Sequence, residues 1–248
     1  QKSLKKNKDS GAKIATYKTL SALSGGANTS FIIDEIANAN EEELKALKNL
    51  LLTAKATDVV DVINGSLAGA NENTQLALLD VLSKRSNANS ASQVFTLIEK
   101  GSPAVRAAAF KALPNVVNDG DFDQIIALLG NATGSEILFT QQAATVALQN
   151  NPEKAAKVGR LASNISRSLA PSSARYFPIF AGEGSDVALQ AVANYTAEGN
   201  PLKADAITAL ASWSNTSSLD HLTTLLKTEK DPAIFKTLFS GFIKQLNA

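Results

Sequence analysis

The sequence predicts an all-α protein, a right-handed α-α superhelix built from about seven helical hairpins. Three observations carry that expectation. Strong apolar residues recur at Leu20, Leu51, Leu82, Leu113, Leu148, Phe180, Leu210 and Phe242, at intervals of 31, 31, 31, 35, 32, 30 and 32 residues. An equal period with drifting sequence marks a solenoid, in which each unit buries its apolar face against its neighbours. Second helices lie between these anchors, and turn residues separate the pairs. Finally, short apolar runs such as Phe31-Ile32-Ile33 and Val59-Val60 fall within helical spacing and lack the alternation of a strand.

Taken in order, residues 1–9 carry Lys2, Lys5, Lys6 and Lys8 and read as a basic, frayed terminus. Residues 10–248 read as a single repeat domain. The second helices are expected over Ser30–Ala39, Asp58–Ala68, Ala91–Lys100, Phe122–Leu129, Pro152–Ala162, Asp186–Thr196 and Ser218–Lys227, with a final unpaired helix over Pro232–Leu246. Turns are expected at Ser24-Gly25-Gly26, Asn87-Ala88-Asn89, Gly182-Glu183-Gly184 and Asn215-Thr216-Ser217. Pro103, Pro152, Pro201 and Pro232 fall near helix starts, where a missing N–H does no harm. Pro114 and Pro178 fall inside first helices and should kink them or end them early. The 35-residue interval fits an insertion around residues 131–136.

The organising stretch is Ser102–Ala132. Ser102-Pro103 opens a helix that is small or apolar almost all round, from Ala104 to Leu113. Such a helix needs neighbours on more than one side. Asn118-Asp119-Gly120 turns the chain, and Asp121 is placed to cap a second apolar helix containing Ile125 and Leu129.

Composition narrows function more than it assigns one. Apolar residues make up 44% and aromatics 6%, which suits helices packed closely through small side chains. With 24 basic and 23 acidic residues the net charge is +1, so no global field recruits nucleic acid or an anionic membrane. Cysteine is absent, which excludes disulfides, thiolate zinc sites and cysteine nucleophiles. No apolar run approaches the roughly 18 residues of a membrane span. There is no signal peptide, and Gln1 at the start implies a processed or truncated chain.

The stretches SPAVRAAAFKAL and DPAIFKTLFSGF resemble the short, roughly 30-residue class of HEAT repeat, the kind also found in phycobilin-lyase-like arrays. Leu210-Ala211-Ser212-Trp213, followed by Leu219, Leu222, Leu225 and Asp231-Pro232, is similar to HEAT arrays of large secreted bacterial proteins, some fused to a sugar-active domain of the keto-disaccharide hydrolase type. The resemblance covers about residues 10–248. The family's Asp-Pro-x-Val-Arg start stands here as Ser102-Pro103-Ala104-Val105-Arg106, and Phe235 replaces the Arg in the last unit, which counts against an Asp–Arg ladder between repeats. The resemblance implies a non-catalytic scaffold that binds a protein partner, or an adjacent domain of the same chain, on a concave face lined by second helices. The alternatives are an accessory module of a secreted carbohydrate-active protein and, below it, a DNA-binding HEAT-like protein. A periplasmic or secreted setting is implied, with a cytoplasmic one left open.

No residue reads as catalytic, cofactor-binding or metal-binding. His221 is the only histidine, and its neighbour Asp220 points elsewhere on a helix, so the pair lacks the geometry of acid–base work. Ser218-Leu219-Asp220-His221 reads instead as an exposed first turn capped by Ser217 or Ser218. Glu41-Glu42-Glu43 follows Asn40 at a helix start, where the helix dipole favours acids. Gly11, Gly25-Gly26, Gly130, Gly182 and Gly184 match no phosphate loop and read as turns. Sequons at Asn28, Asn64, Asn131, Asn164, Asn194 and Asn215 follow from an Asn-, Ser- and Thr-rich composition. Trp213 sits at a turn and is expected to cover the end of a helix pair. Phe235, Leu238, Phe239, Phe242, Ile243 and Leu246 are too many apolar residues for one contact face of the last helix. Either the natural chain continues past Ala248 or this end makes a subunit contact.

Overall fold

A computed structural model describes residues 9–23, 28–55, 58–85, 90–149, 151–166 and 171–247. All regular structure among them is helical. The basic segment of residues 1–8 and the turns expected at Ser24-Gly25-Gly26 and Asn87-Ala88-Asn89 lie outside the described residues. The chain falls into two compact units, Gln1–Asn118 and Asp119–Ala248.

The first unit holds α1 (Ser10–Leu23), α2 (Thr29–Ile36), α3 (Glu41–Thr53), α4 (Val59–Leu67), α5 (Glu72–Leu82), α6 (Ala91–Lys100) and α7 (Pro103–Ala112). Odd-numbered helices pack in succession, α1 on α3, α3 on α5 and α5 on α7, while α2 packs on α4. Each even helix also packs on the odd helix that follows it. The cause is legible in the side chains. Leu47, Leu51, Ile63, Leu67, Leu78 and Leu82 recur every three or four residues on their helices and are fully buried.

In α7, Ser102 accepts the Val105 N–H at 3.3 Å and Pro103 occupies the first turn, as the sequence leads one to expect. The helix is less enclosed than its composition implies. Val105, Ala109, Phe110 and Ala112 are buried, but Ala104 and Ala107 face solvent, since alanine favours the helix whether or not it is covered. Pro114 ends α7 at Ala112, and a 3₁₀ turn follows over Leu113–Asn115.

The second unit holds α8 (Phe122–Asn131), α9 (Ser135–Gln149), α10 (Lys154–Ser166), α11 (Phe177–Glu183), α12 (Asp186–Ala193), α13 (Lys203–Ala211), α14 (Leu219–Leu226) and α15 (Pro232–Leu246). The same logic holds, with α9 on α11, α11 on α13, α13 on α15, and α10 on α12. Two local expectations are corrected. Asp121 precedes α8 but sits in helical backbone conformation, because a 3₁₀ turn over Asp119–Asp121 runs into the helix, and its side chain makes no cap bond. Pro178 lies in the first turn of α11 rather than inside a longer helix, since Pro171–Tyr176 form a separate 3₁₀ segment ahead of it.

Of the expected anchors, Leu51, Leu82, Leu113, Leu148, Phe180 and Leu210 are buried. Leu20 and Phe242, on α1 and α15, are only partly so. On those helices Tyr17 and Leu238 take the buried position instead.

Helix ends are closed by arginines from farther along the chain. Arg85 donates Nη1 to the Leu51 carbonyl at 2.7 Å and Nη2 to that of Ala54 at 2.9 Å, satisfying the end of α3. Arg106 reaches the Ile98 carbonyl at 2.7 Å and lies 5.0 Å from the Phe110 ring centroid. Arg175 does the same for Leu129 and Gly130, at 2.7 and 2.9 Å. Each planar guanidinium thereby meets carbonyls that an α-helix leaves unpaired.

Close approach replaces turn-making at Gly182, where an added Cβ would lie 2.8 Å from Thr145 Cγ2. Gly11, Gly130 and Gly182 are helical, and only Gly184 of the expected Gly182-Glu183-Gly184 turn takes a left-handed conformation, with φ of 81°. Gly241 in α15 faces Ala211, whose Cα and Cβ would lie 2.5 Å from any added Cβ.

Leu113→Ala should cost about 2–5 kcal/mol in urea unfolding, since Leu113 is fully buried. A loss below about 1 kcal/mol would place Leu113 outside the core. Gly241→Ala separates helix propensity from packing. In an exposed helix the change stabilises by about 1 kcal/mol. Here the backbone of Ala211 blocks the methyl group, and a loss of about 1–3 kcal/mol is expected from overpacking.

Candidate functional site

The terminal helix α15 carries the most distinctive surface among the described residues. Asp231 accepts from the Ala233 and Ile234 N–H groups at 2.8 and 3.2 Å, and Pro232 follows it, so the helix starts sharply. Its inner side presents Leu238, Gly241 and Gln245, all buried. Gln245 donates through Nε2 to the Leu210 carbonyl at 3.0 Å and to Ser218 Oγ at 2.7 Å. The Ser218 hydroxyl donates to the same carbonyl at 2.9 Å. This buried polar lock fixes α15 on α13 and on the start of α14. It also explains why Ser218 does not cap α14: its backbone is helical, and its hydroxyl oxygen accepts from Gln245 Nε2 instead of from a backbone N–H of the helix.

Part of the exposed surface of α15 is an apolar stripe, about half open to solvent. Phe235, Phe239, Ile243 and Leu246 are 42, 50, 41 and 57% exposed. Spacings of four, four and three residues place them in one stripe. The Phe235 and Phe239 rings lie nearly parallel, 6° apart in plane, with centroids 6.4 Å apart. Between α13 and α15 runs a groove of about 360 Å³, lined by Thr208, Ala211, Lys236, Ser240 and Lys244, among others, and by none of the four stripe residues. Neither lysine forms an ion pair among the described residues.

A second, polar concavity of about 230 Å³ lies in the first unit, lined by Lys13, Asp34, Glu35, Asn38 and Glu43. Glu41, Glu42 and Glu43 occupy the first turn of α3, and Asn40 accepts the Glu43 N–H at 3.0 Å. Sequence reasoning missed that Glu43 is buried. Its carboxylate meets Lys13 Nζ at 3.2 Å and accepts from Ser10 Oγ at 3.0 Å. Tyr17 donates to Glu35 Oε2 at 2.9 Å. Burial, then the Glu35 hydrogen bond and the charges of Glu35 and Glu43, push the Tyr17 phenol well above its usual range. It therefore stays a hydrogen-bond donor and supplies no nucleophile near neutral pH. No group of three or more His, Cys, Asp or Glu among the described residues is placed to hold a metal.

The remaining candidates disperse. His221 is partly buried in the first turn of α14. Trp213 is buried beyond the end of α13, as expected of a ring covering a helix pair. No described helix is long and apolar enough to cross a membrane. Compared with protein-family models, curated proteins and solved structures, the chain matches none.

Charge pairing between elements well apart in sequence is the other recurring feature. Lys13 pairs with Glu43 at 3.2 Å, Lys48 with Asp80 at 2.7 Å, Lys154 with Glu183 at 3.2 Å, and Lys203 with Glu229 at 2.9 Å. In these four the lysine comes first and the acid follows about one repeat later; Lys157 with Asp123, at 3.1 Å, runs the other way. Lys203 also meets Glu198, and the hydrogen bonds it donates to the two carboxylates raise its pKa.

Asp80 gives a pH test. Burial would raise its pKa, but hydrogen bonds from Lys48 and Lys84 outweigh it, and the net shift is downward. A depressed carboxyl stabilises the fold above its unfolded value of about 3.9, and that contribution is lost as pH falls through the folded value. Asp80→Asn should therefore flatten the stability curve below about pH 4 relative to wild type. Parallel acid limbs for the two proteins would show that Asp80 carries no such linkage.

Proposed function

We propose that the chain is a non-catalytic protein-binding scaffold whose hairpins stack as a HEAT-like α-solenoid. Packing of alternate helices in rows within each unit supports the repeat reading. In such an array the even-numbered helices would line the concave face. The single observation that carries the binding reading is the uncovered apolar stripe of Phe235, Phe239, Ile243 and Leu246 on α15. Contiguous apolar surface of this kind marks interaction sites on otherwise polar proteins. The helix beneath it is held by a buried hydrogen-bond lock, so the stripe is presented on a rigid element. That lowers the ordering cost of binding.

The near-neutral charge balance supports a protein partner over a polyanion. An extract of the source organism passed over the immobilised chain should leave one identifiable protein bound at near-stoichiometric level. That protein, once purified, should lose at least tenfold in affinity for a Phe239→Ser, Ile243→Ser variant. Failure to retain any protein above an unrelated helical control would refute the reading. Submicromolar, salt-sensitive binding to duplex DNA at physiological ionic strength would replace it.

A further inference from the structure

We infer that the groove between α13 and α15 binds an acidic segment of a partner protein. This rests on the protein-binding reading above and adds a second surface, separate from the stripe of Phe235, Phe239, Ile243 and Leu246. Lys236, Ser240 and Lys244 line the groove from α15, four residues apart. On a helix that spacing sets them in one row, with the two lysine Cα atoms about 12 Å apart along the axis. Thr208, Ala211 and Ser212 line the groove from the side of α13. Gly241 lies against Ala211, so no large side chain fills the space where the two helices meet.

Charge names the occupant. The residues of α15 include Lys236 and Lys244 and no acid. No carboxylate lines the groove, and neither lysine forms an ion pair among the described residues. Asp205, one turn before Thr208 on α13, is outside the lining and pairs with neither. Two other concavities show the contrast. Lys13 shares its concavity with Glu43, and Lys203 shares one of about 710 Å³ with Glu198 and Glu229, each at ion-pair distance. There the countercharge is internal; in the α13–α15 groove it is left to a ligand. An extended chain advances about 3.3 Å per residue, so carboxylates four residues apart span the two lysines. A basic segment would meet like charge. Nucleic acid is disfavoured, because two lysines neutralise few phosphates and the α13 side of the groove adds no further cation.

The test is nuclear magnetic resonance on the ¹⁵N-labelled full chain, titrated with hexaglutamate, about 20 Å long when extended, and with hexalysine as the charge-reversed control. At low ionic strength hexaglutamate should shift the amides of Thr208, Lys236, Ser240 and Lys244, with half-saturation below about 1 mM, and the shifts should recede as salt is added. Hexalysine should leave them in place. Lys236→Glu with Lys244→Glu should weaken hexaglutamate binding at least tenfold. Lys18→Glu with Lys111→Glu, which reverses two exposed lysines elsewhere, should change it less than twofold. All four side chains are exposed, so circular dichroism and melting should match wild type, which separates lost binding from lost folding.

No shift at these residues up to about 1 mM, equal shifts with hexalysine, or an equal loss on changing Lys18 and Lys111 would each overturn the inference. So would tighter binding of a six-nucleotide single-stranded DNA at the same residues, because the groove would then read phosphates. Phe239→Ser with Ile243→Ser should leave hexaglutamate binding intact. A captured partner that is lost on those two changes, together with no hexaglutamate binding, keeps the protein-binding reading and removes this one.

Discussion

Everything in this chain depends on helices that cannot bury their apolar residues alone. A helix such as α5, with Ala77, Leu78, Leu79, Val81 and Leu82 all buried, has core-facing side chains around more than half its circumference. A single partner covers one stripe, so a second and third neighbour are required. Packing of α5 against α3, α4 and α7 meets that need, and α13 against α11, α12, α14 and α15 meets it again. Small residues allow the close spacing. Gly182 sits against Thr145, and Gly241 against Ala211, at distances that no side chain would tolerate.

Polar groups follow from that constraint. Helices stacked side by side bring their ends close to the next layer, where unpaired carbonyls must find donors. Arg85, Arg106 and Arg175 supply them, and Gln141 and Asn215 do so on a smaller scale, reaching the Arg175 and Gly184 carbonyls at 2.7 and 2.9 Å. Tyr195 donates likewise to the Ile165 carbonyl. The ion pairs are mostly part-exposed and individually worth little. Those between successive layers, such as Lys48 with Asp80, tie one layer to the next.

Among the described residues α15 is packed on α13 and α14 and leaves a part-exposed apolar stripe. Its inner face is tied down by Leu238 and the Gln245–Ser218–Leu210 lock, so α15 does not need its outer face covered to stay in place. The polar concavity by Glu43 differs in kind: its carboxylates already have Lys13, Ser10 and Tyr17 as partners, which reads as internal structure.

By itself the sequence determined the helical class, the period and most of the core, because a buried apolar residue at fixed spacing has one physical cause. Leu51, Leu82, Leu113, Leu148, Phe180 and Leu210 were legible for that reason. So were α6 and α15, whose ends match the expected Ala91–Lys100 and Pro232–Leu246. The surplus of apolar residues in α15 was legible too. Only the tertiary structure decided which of them face outward, since a helix buries what its neighbours happen to touch; Leu238 took the inner place that the repeat period assigned to Phe242. It also decided the fate of polar side chains. Glu43 and Gln245 are ordinary surface residues by type, and they are buried because partners some thirty residues away in the chain, Lys13 and Leu210, come within hydrogen-bond reach. The apolar periodicity does not mark such residues as buried, for their burial arises from how layers meet and not from how any one helix is patterned.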